Sequence, residues 1–192
     1  MNRTTTSSAA GKLVLDADGM AQKVGALCQS ILKEFRKDLG RLAVVGIQTR
    51  GAYLARRMAK QLEEETGQKI PVGILDITLY RDDVHDIADQ PEVKETDLPF
   101  DIEDRPIVLI DDVLFTGRTV RSAMNALNDY SRPRCIRLAV LVDRGHRELP
   151  IGADYIGVTL KTRVDDVVDV NLKEIDEEDS IRIRKYEEPS AK

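Results

Sequence analysis

The run from Val108 to Val120, VLIDDVLFTGRTV, sets two consecutive carboxylates behind an apolar stretch and follows them with a Thr-Gly-Arg-Thr turn that opens a helix. The first amides of a helix have no intrahelical partner, so such a turn presents donors. With Gly117 allowing close approach, and with the hydroxyls of Thr116 and Thr119 as further donors, it can wrap a single phosphate at a helix N-terminus. Asp111 and Asp112 then stand where they can accept hydrogen bonds from ribose hydroxyls, which a bare phosphate would not require. An acidic pair after a strand describes, by itself, no more than a capped strand-to-helix turn; the phosphate cradle beside it is what points to a sugar phosphate. The run is neither a Walker A sequence nor a dinucleotide-binding G-x-G-x-x-G. His146 could serve as a general base by residue type, but it stands alone and reads as structural.

These groups need elements that carry them to one place. Leu42 to Ile47 and Ile107 to Ile110 are continuously apolar, as strands buried on both faces are, and Cys135 to Val142 mixes Ile, Leu and Val. Residues 72–80, VGILDITLY, read as another strand. Met20, Val24, Leu27, Ile31, Leu32 and Phe35 recur at helical spacing and predict a helix over about residues 18–38. Tyr53, Leu54, Met58 and Leu62 predict a second helix ending at Gly67, and a third runs from Thr119 to Tyr130. Strands apolar throughout, alternating with helices, predict an α/β fold with a doubly wound, mostly parallel sheet. Ligands of such sheets lie beyond the carboxyl ends of the strands, where the connections 48–51, 111–119 and 143–150 fall. Asp154 to Val158, Val167 to Leu172 and Ile181 to Ile183 alternate apolar and polar residues, which suits short antiparallel strands in a small extra layer. Arg81 to Pro106 is acidic and without period, the pattern of a lid over residues 81–105. The Thr/Ser-rich residues 1–14 are expected to form a disordered tail, leaving 15–192 as a single domain.

Composition excludes several classes. Of 192 residues, 42% are hydrophobic, 33% charged and 4% aromatic, an ordinary globular balance rather than that of a disordered or collagenous chain. No apolar run approaches the roughly eighteen residues of a membrane helix, and the first residues lack a secretory signal, so a cytoplasmic location with no membrane partner is expected. Cys28 and Cys135 lie outside any metal-binding spacing and read as small buried hydrophobes. The net charge of −5 is uneven: residues 1–60 hold 11 Lys and Arg against 4 Asp and Glu, whereas residues 61–110 hold 4 against 14. Such blocks predict one face suited to anions.

The Val108–Val120 run resembles the 5-phosphoribosyl 1-pyrophosphate (PRPP) loop of the type I phosphoribosyltransferases. DITLYRDD (Asp76 to Asp83), VLVDRGHRELP (Val140 to Pro150), GIQTRG (Gly46 to Gly51) and ADYIG (Ala153 to Gly157) extend the likeness from about residue 15 onward. They are similar to the bifunctional pyrimidine operon regulatory proteins with uracil phosphoribosyltransferase activity. The resemblance implies the type I phosphoribosyltransferase fold, with the small C-terminal antiparallel layer as a hood. It further implies transfer of phosphoribose from PRPP to uracil, giving UMP and pyrophosphate, and a second role in binding the leader RNA of pyrimidine genes in response to UMP or UTP. By the same resemblance Asp111 and Asp112 hold the ribose 2- and 3-hydroxyls, and Thr116, Gly117, Arg118 and Thr119 hold the 5-phosphate. Val113, Leu114 and Phe115 belong to the same substrate-binding run. Thr49, Arg50 and Gly51 cradle the pyrophosphate, Arg81 reaches it from the lid whose base is Tyr80, Arg81 and Asp82, and Arg144 and Val168 line the pocket of the base. Asp111, Asp112, Arg50 and Arg81 are the catalytic candidates, and a homo-oligomer is expected.

The chemistry fits those pieces. Breaking the bond from C1 to pyrophosphate builds positive charge on the ribose, as in glycoside hydrolysis, while the leaving group gains negative charge. A hard cation and donors on the pyrophosphate therefore matter more than a strong base. Mg²⁺ held through PRPP itself, without dedicated protein ligands, suits this.

Two other readings stay open. An orotate or purine substrate keeps the enzyme class, but purine enzymes of this type carry a stacking aromatic with a Lys on the hood, and orotate needs cationic partners for its carboxylate; neither stands out. The second reading is an RNA-binding regulator that only senses nucleotide. Lys23, Lys33, Arg36, Lys37, Arg56, Arg57 and Lys60, with Arg132, Arg134 and Arg137, favour it. Against it stand the pI of 5.2 and the neutral Gly25, Ala26, Gln29 and Gly152, at positions where RNA-binding members of the family present polar and basic groups.

Overall fold

The structure, a computed structural model, describes residues 11–80 and 96–185. In chain order the elements are β1 (Lys12–Leu15), α1 (Ala17–Phe35), β2 (Ala43–Ile47), α2 (Arg50–Thr66), β3 (Val72–Leu75), β4 (Pro106–Leu114), α3 (Arg118–Tyr130), β5 (Cys135–Asp143), β6 (Tyr155–Thr159), β7 (Asp166–Asn171), α4 (Lys173–Asp176) and β8 (Ser180–Lys185). Five strands form a parallel sheet in the order β3-β2-β4-β5-β6, and β1-β8-β7 form a separate antiparallel sheet, the hood.

Side-chain alternation explains why the central strands are apolar throughout. Val44, Val108, Ile110, Ala139 and Leu141 face one core, covered by α1 and α2 through Met20, Ile31, Leu54 and Met58. Val45, Ile47, Ile107, Leu109 and Val140 face the other, covered by α3 through Val120, Ala123 and Leu127. Both faces of the central strands β2 and β4 are thus dry, and helices lie on both sides of the sheet as expected. The hood joins the first core through Val170, Leu172 and Ile181. Caps mark the helix limits: the Asp16 side chain accepts from the Gly19 amide at 2.9 Å, and Gly67 ends α2 at φ 67°. Among the described residues no helix is long and apolar enough to cross a membrane.

Several expectations need correction. Asp154 to Val158 does not join the antiparallel layer: Tyr155–Thr159 is the fifth parallel strand, paired with β5 from Ala139 opposite Tyr155 to Asp143 opposite Thr159. Its alternation arises because it is an edge strand with Tyr155 buried and Ile156 exposed. The third hood strand comes instead from the N-terminal side, where Lys12 pairs opposite Ile183, so the tail expected over 1–14 gives way to β1 at Lys12; residues 1–10 lie outside the described residues. The strand expected over 72–80 ends at Leu75, where Asp76 turns the chain by accepting from the Thr78 amide and hydroxyl at 2.9 and 2.6 Å. The segment 96–105 is no part of a free lid. Ile74 and Asp97 exchange backbone hydrogen bonds of 2.7 and 2.9 Å, and Ile102 is buried in the second core.

Candidate active site

The acidic pair lies within β4, which runs on through Asp111 and Asp112 to Leu114 and keeps Asp111 opposite Val140 and Leu114 opposite Asp143. Both acids thus sit on a rigid strand, at its carboxyl end. The Asp112 amide donates to Asp111 Oδ1 at 2.9 Å. Burial raises the Asp111 carboxyl well above the ordinary carboxylate range, and the neighbouring Asp112 charge pushes the same way. Burial raises Asp112 as well, but hydrogen bonds and the nearby Arg50 guanidinium oppose it. Burial thus holds both carboxyls towards the neutral form.

The Thr116–Thr119 turn follows. Gly117 takes a left-handed conformation, φ 94°, directly before α3, and the Arg121 amide donates to its carbonyl at 3.0 Å. The 143–151 loop braces this turn. The amides of Glu148 and Leu149 both donate to the Thr116 carbonyl, at 3.0 and 3.1 Å. Arg147 donates to the carbonyls of Phe115, Gly145 and Ile151 at 2.8, 3.0 and 2.9 Å, and pairs with Asp143 at 2.6 Å. Arg118, expected on the phosphate, has its guanidinium in an ion pair with Glu148 at 2.6 Å, and its backbone amide donates to the Thr116 hydroxyl at 3.4 Å.

The 48–51 connection reaches the same place. Gly46 and Gly51 let the start of α2 lie on the sheet: a Cβ on Gly51 would stand 2.5 Å from the Ile110 carbonyl oxygen and 3.2 Å from Asp111 Cα. The Gln48–Thr49 peptide there is cis. Arg50, the first residue of α2, pairs with Asp176 of α4 at 2.9 and 3.2 Å, while its buried Nε has no hydrogen-bond partner among the described residues.

On the other side, the Arg144 guanidinium lies 4.2 Å over the Phe115 ring and donates to the carbonyls of Arg163 and Val164 at 2.8 and 3.2 Å. Its Nε is also buried without a partner among the described residues. Burial lowers its pKa, with Asp166 opposing. Val168 on β7, opposite Ile183 in the hood, packs half-buried against the first core. His146 adopts φ 58° and sets its Nε2 2.8 Å from the Thr162 carbonyl, a structural tie between two loops. Tyr80 is anchored to α3, its hydroxyl donating to Asp129 at 2.8 Å and its carbonyl accepting from Ser122 at 2.8 Å. Arg81 and Asp82 lie outside the described residues. Among the described residues no three His, Cys, Asp or Glu side chains converge as a metal site.

Two participants had no signal in sequence reasoning. Asp176 stands in an acidic run whose members look alike, and only the fold places it on Arg50, 126 residues away. Arg147 lies within the quoted VLVDRGHRELP stretch, but its bracing role depends on carbonyls 32 residues upstream.

A profile of the phosphoribosyl transferase domain matches residues 12–177. The Bifunctional protein PyrR of Elusimicrobium minutum is 50% identical over 172 residues, covering 90% of this chain and 96% of that protein. The Bifunctional protein PyrR of Deinococcus radiodurans is 49% identical over 170 residues, covering 88% and 92%. Among solved structures, a hypoxanthine phosphoribosyltransferase from Staphylococcus aureus superposes with a TM-score of 0.67 at 17% identity, over 94% of this chain and 96% of that one. The hypoxanthine phosphoribosyltransferase of Trypanosoma cruzi in complex with IMP gives 0.69 at 14% identity, over 94% of each chain. At such identities these structures share the fold alone.

Proposed function

The chain belongs to the phosphoribosyl transferase domain family and, within it, to the PyrR proteins, and from that premise we propose that it transfers phosphoribose from PRPP to uracil, releasing UMP and pyrophosphate in the cytoplasm. The observation that carries the reading is the meeting of the 48–51 turn with the acidic pair: Gly51 lies against the backbone of Ile110 and Asp111, and Arg50 precedes it at the start of α2. A ribose diol at the two acids would then have a cation-bearing turn on its C1 side and the Thr116–Thr119 cradle for its 5-phosphate.

In this reading the two acids hold the ribose diol between them. Ionised, they accept from its hydroxyls and offset positive charge growing on the ribose ring; protonated, as burial favours, either can also donate. The fixed charge and the turn amides stabilise the departing pyrophosphate, the electrostatic contribution that commonly dominates such chemistry. Mg²⁺, carried by PRPP as part of the substrate, would supply charge neutralisation on the pyrophosphate. Arg144, stacked on Phe115 and with no partner for its Nε among the described residues, is a donor for a carbonyl of the base. No strong general base is required, because uracil loses its N1 proton late.

The regulatory half of the function is assigned to leader RNA, with UMP favouring the bound form by differential affinity. Arg57, Arg134 and Arg137 of the basic set are held in ion pairs with Glu174 and Asp179, with Asp38, and with Glu34, and Lys60 lies 3.8 Å from Glu64, which leaves Lys23, Lys33, Arg36 and Lys37 of α1 and its end, with Arg56 and Arg132, as the main candidates for phosphates. The deciding experiment incubates purified protein with PRPP, Mg²⁺ and, separately, uracil, orotate, hypoxanthine and guanine. UMP from uracil alone is expected; turnover of another base in preference, or of none, overturns the reading.

A further inference from the structure

Arg50 and Arg57 are seven residues apart on α2, two helical turns, and so lie on one face. Both are taken by the short hood segment around α4. Arg57 pairs with Glu174 and, at 2.7 Å, with Asp179, and Arg50 pairs with Asp176. Asp176 is also tied into its own turn, accepting from the Leu172 amide at 2.9 Å. The hood is thus docked on α2 at two points, and one of them uses the cation that the pyrophosphate requires.

We propose that Asp176 is an internal competitor for pyrophosphate at Arg50 and so sets the affinity for PRPP. The proposal rests on the transferase reading, which places pyrophosphate at the 48–51 turn. Asp176 carries one carboxylate where a pyrophosphate would bring several negative charges, and its pair with Arg50 is half-screened, with 37% and 23% of the side chains exposed. A diphosphate can therefore displace it. Arg57 keeps the hood corner attached meanwhile through Glu174 and Asp179. Since coupling is reciprocal, a hood released at Asp176 binds pyrophosphate more tightly, and bound pyrophosphate loosens the turn at Asp176. UMP has no group to place at Arg50 and should do neither.

The test titrates Mg²⁺-pyrophosphate and, separately, UMP onto the wild type, Asp176→Asn and the double variant Glu174→Gln/Asp179→Asn, by calorimetry. Asn keeps the shape and one acceptor but removes the charge. Expected is pyrophosphate binding about three- to fivefold tighter in Asp176→Asn, the range of a partly exposed ion pair, with UMP affinity unchanged and with no such gain in the double variant. Equal or weaker pyrophosphate binding in Asp176→Asn overturns the proposal, as does the same gain in the double variant, which would trace it to a loosened hood. Wild-type protein that binds neither ligand overturns the transferase reading with it. A second measurement needs no variant: in the wild type, pyrophosphate but not UMP should speed hydrogen exchange at the amides of Leu172 and Asp176, and unchanged exchange counts against the competition.

Discussion

Gly51 lies against Asp111: a Cβ at Gly51 would come within 3.2 Å of Asp111 Cα and 2.5 Å of the carbonyl oxygen before it, so the turn that opens α2 and the acid in β4 are in backbone contact. No side chain fits between them. The spacing between the acidic strand and the backbone of the 48–51 turn is thereby set by main chain on both sides, which holds it more rigidly than long side chains would.

Gly51→Ala should therefore push the 48–51 turn off β4. Overpacking of this kind costs about 1–3 kcal/mol, and because the turn moves relative to the acids, the loss of UMP formation should exceed tenfold, roughly, while the fold persists. Thermal melting beside steady-state turnover checks this; a stable variant with wild-type activity would remove the contact from the mechanism.

The acidic pair makes two linked predictions. Asp111→Asn/Asp112→Asn should lower UMP formation by about a hundredfold or more, since the charge that offsets the ribose cation is gone. Stability should move the other way. The Asp111 pKa is raised on folding, so the folded state binds more protons than the unfolded state between the two pKa values, and stability falls as pH rises through that window. Asp111→Asn removes this penalty. Its melting temperature should exceed that of the wild type at pH 7.5, and the gap should close as pH falls towards 4.

The proposed reading places Arg81, which lies outside the described residues, on a lid over the pyrophosphate. Arg81→Ala should lower kcat about tenfold or more while leaving UMP binding within about twofold, because UMP has no pyrophosphate for the closed lid to grip. Comparing turnover with UMP titration checks it, and equal losses in both would show a structural role instead.

RNA binding should be weak and strongly salt-dependent. The remaining cations of α1 can neutralise phosphates, but Gly25 and Ala26 offer no side-chain donors, and the Gln29 side chain is occupied in donating to Glu65 at 2.6 Å. Phosphate contacts alone lose affinity steeply as salt rises. Titrating a pyrimidine-gene leader and a scrambled RNA at low and moderate salt measures this; tight, selective binding that persists at moderate salt would refute it.

By itself the sequence determined the elements whose burial is complete and the motif whose spacing is local. Leu42 to Ile47 and Ile107 to Ile110 are apolar because both faces of the central strands are covered, and that shows in composition without knowledge of the partner. The Asp-Asp and Thr-Gly-Arg-Thr groups sit within nine residues, so the geometry of one strand and one helix start is enough to relate them. Tertiary structure alone decided which sheet an amphipathic strand enters. Tyr155–Thr159 and Asp166–Asn171 have similar patterns, but one closes the parallel sheet and the other the hood, because alternation reports one open face and not the identity of the neighbour. Only the tertiary structure, too, set Lys12–Leu15 beside β8, Arg147 under the phosphate turn and Asp176 on Arg50. Each of these is a pairing between distant segments, chosen by where packing brings the chain, and a charge in an acidic or basic run carries no local mark of the partner it will meet.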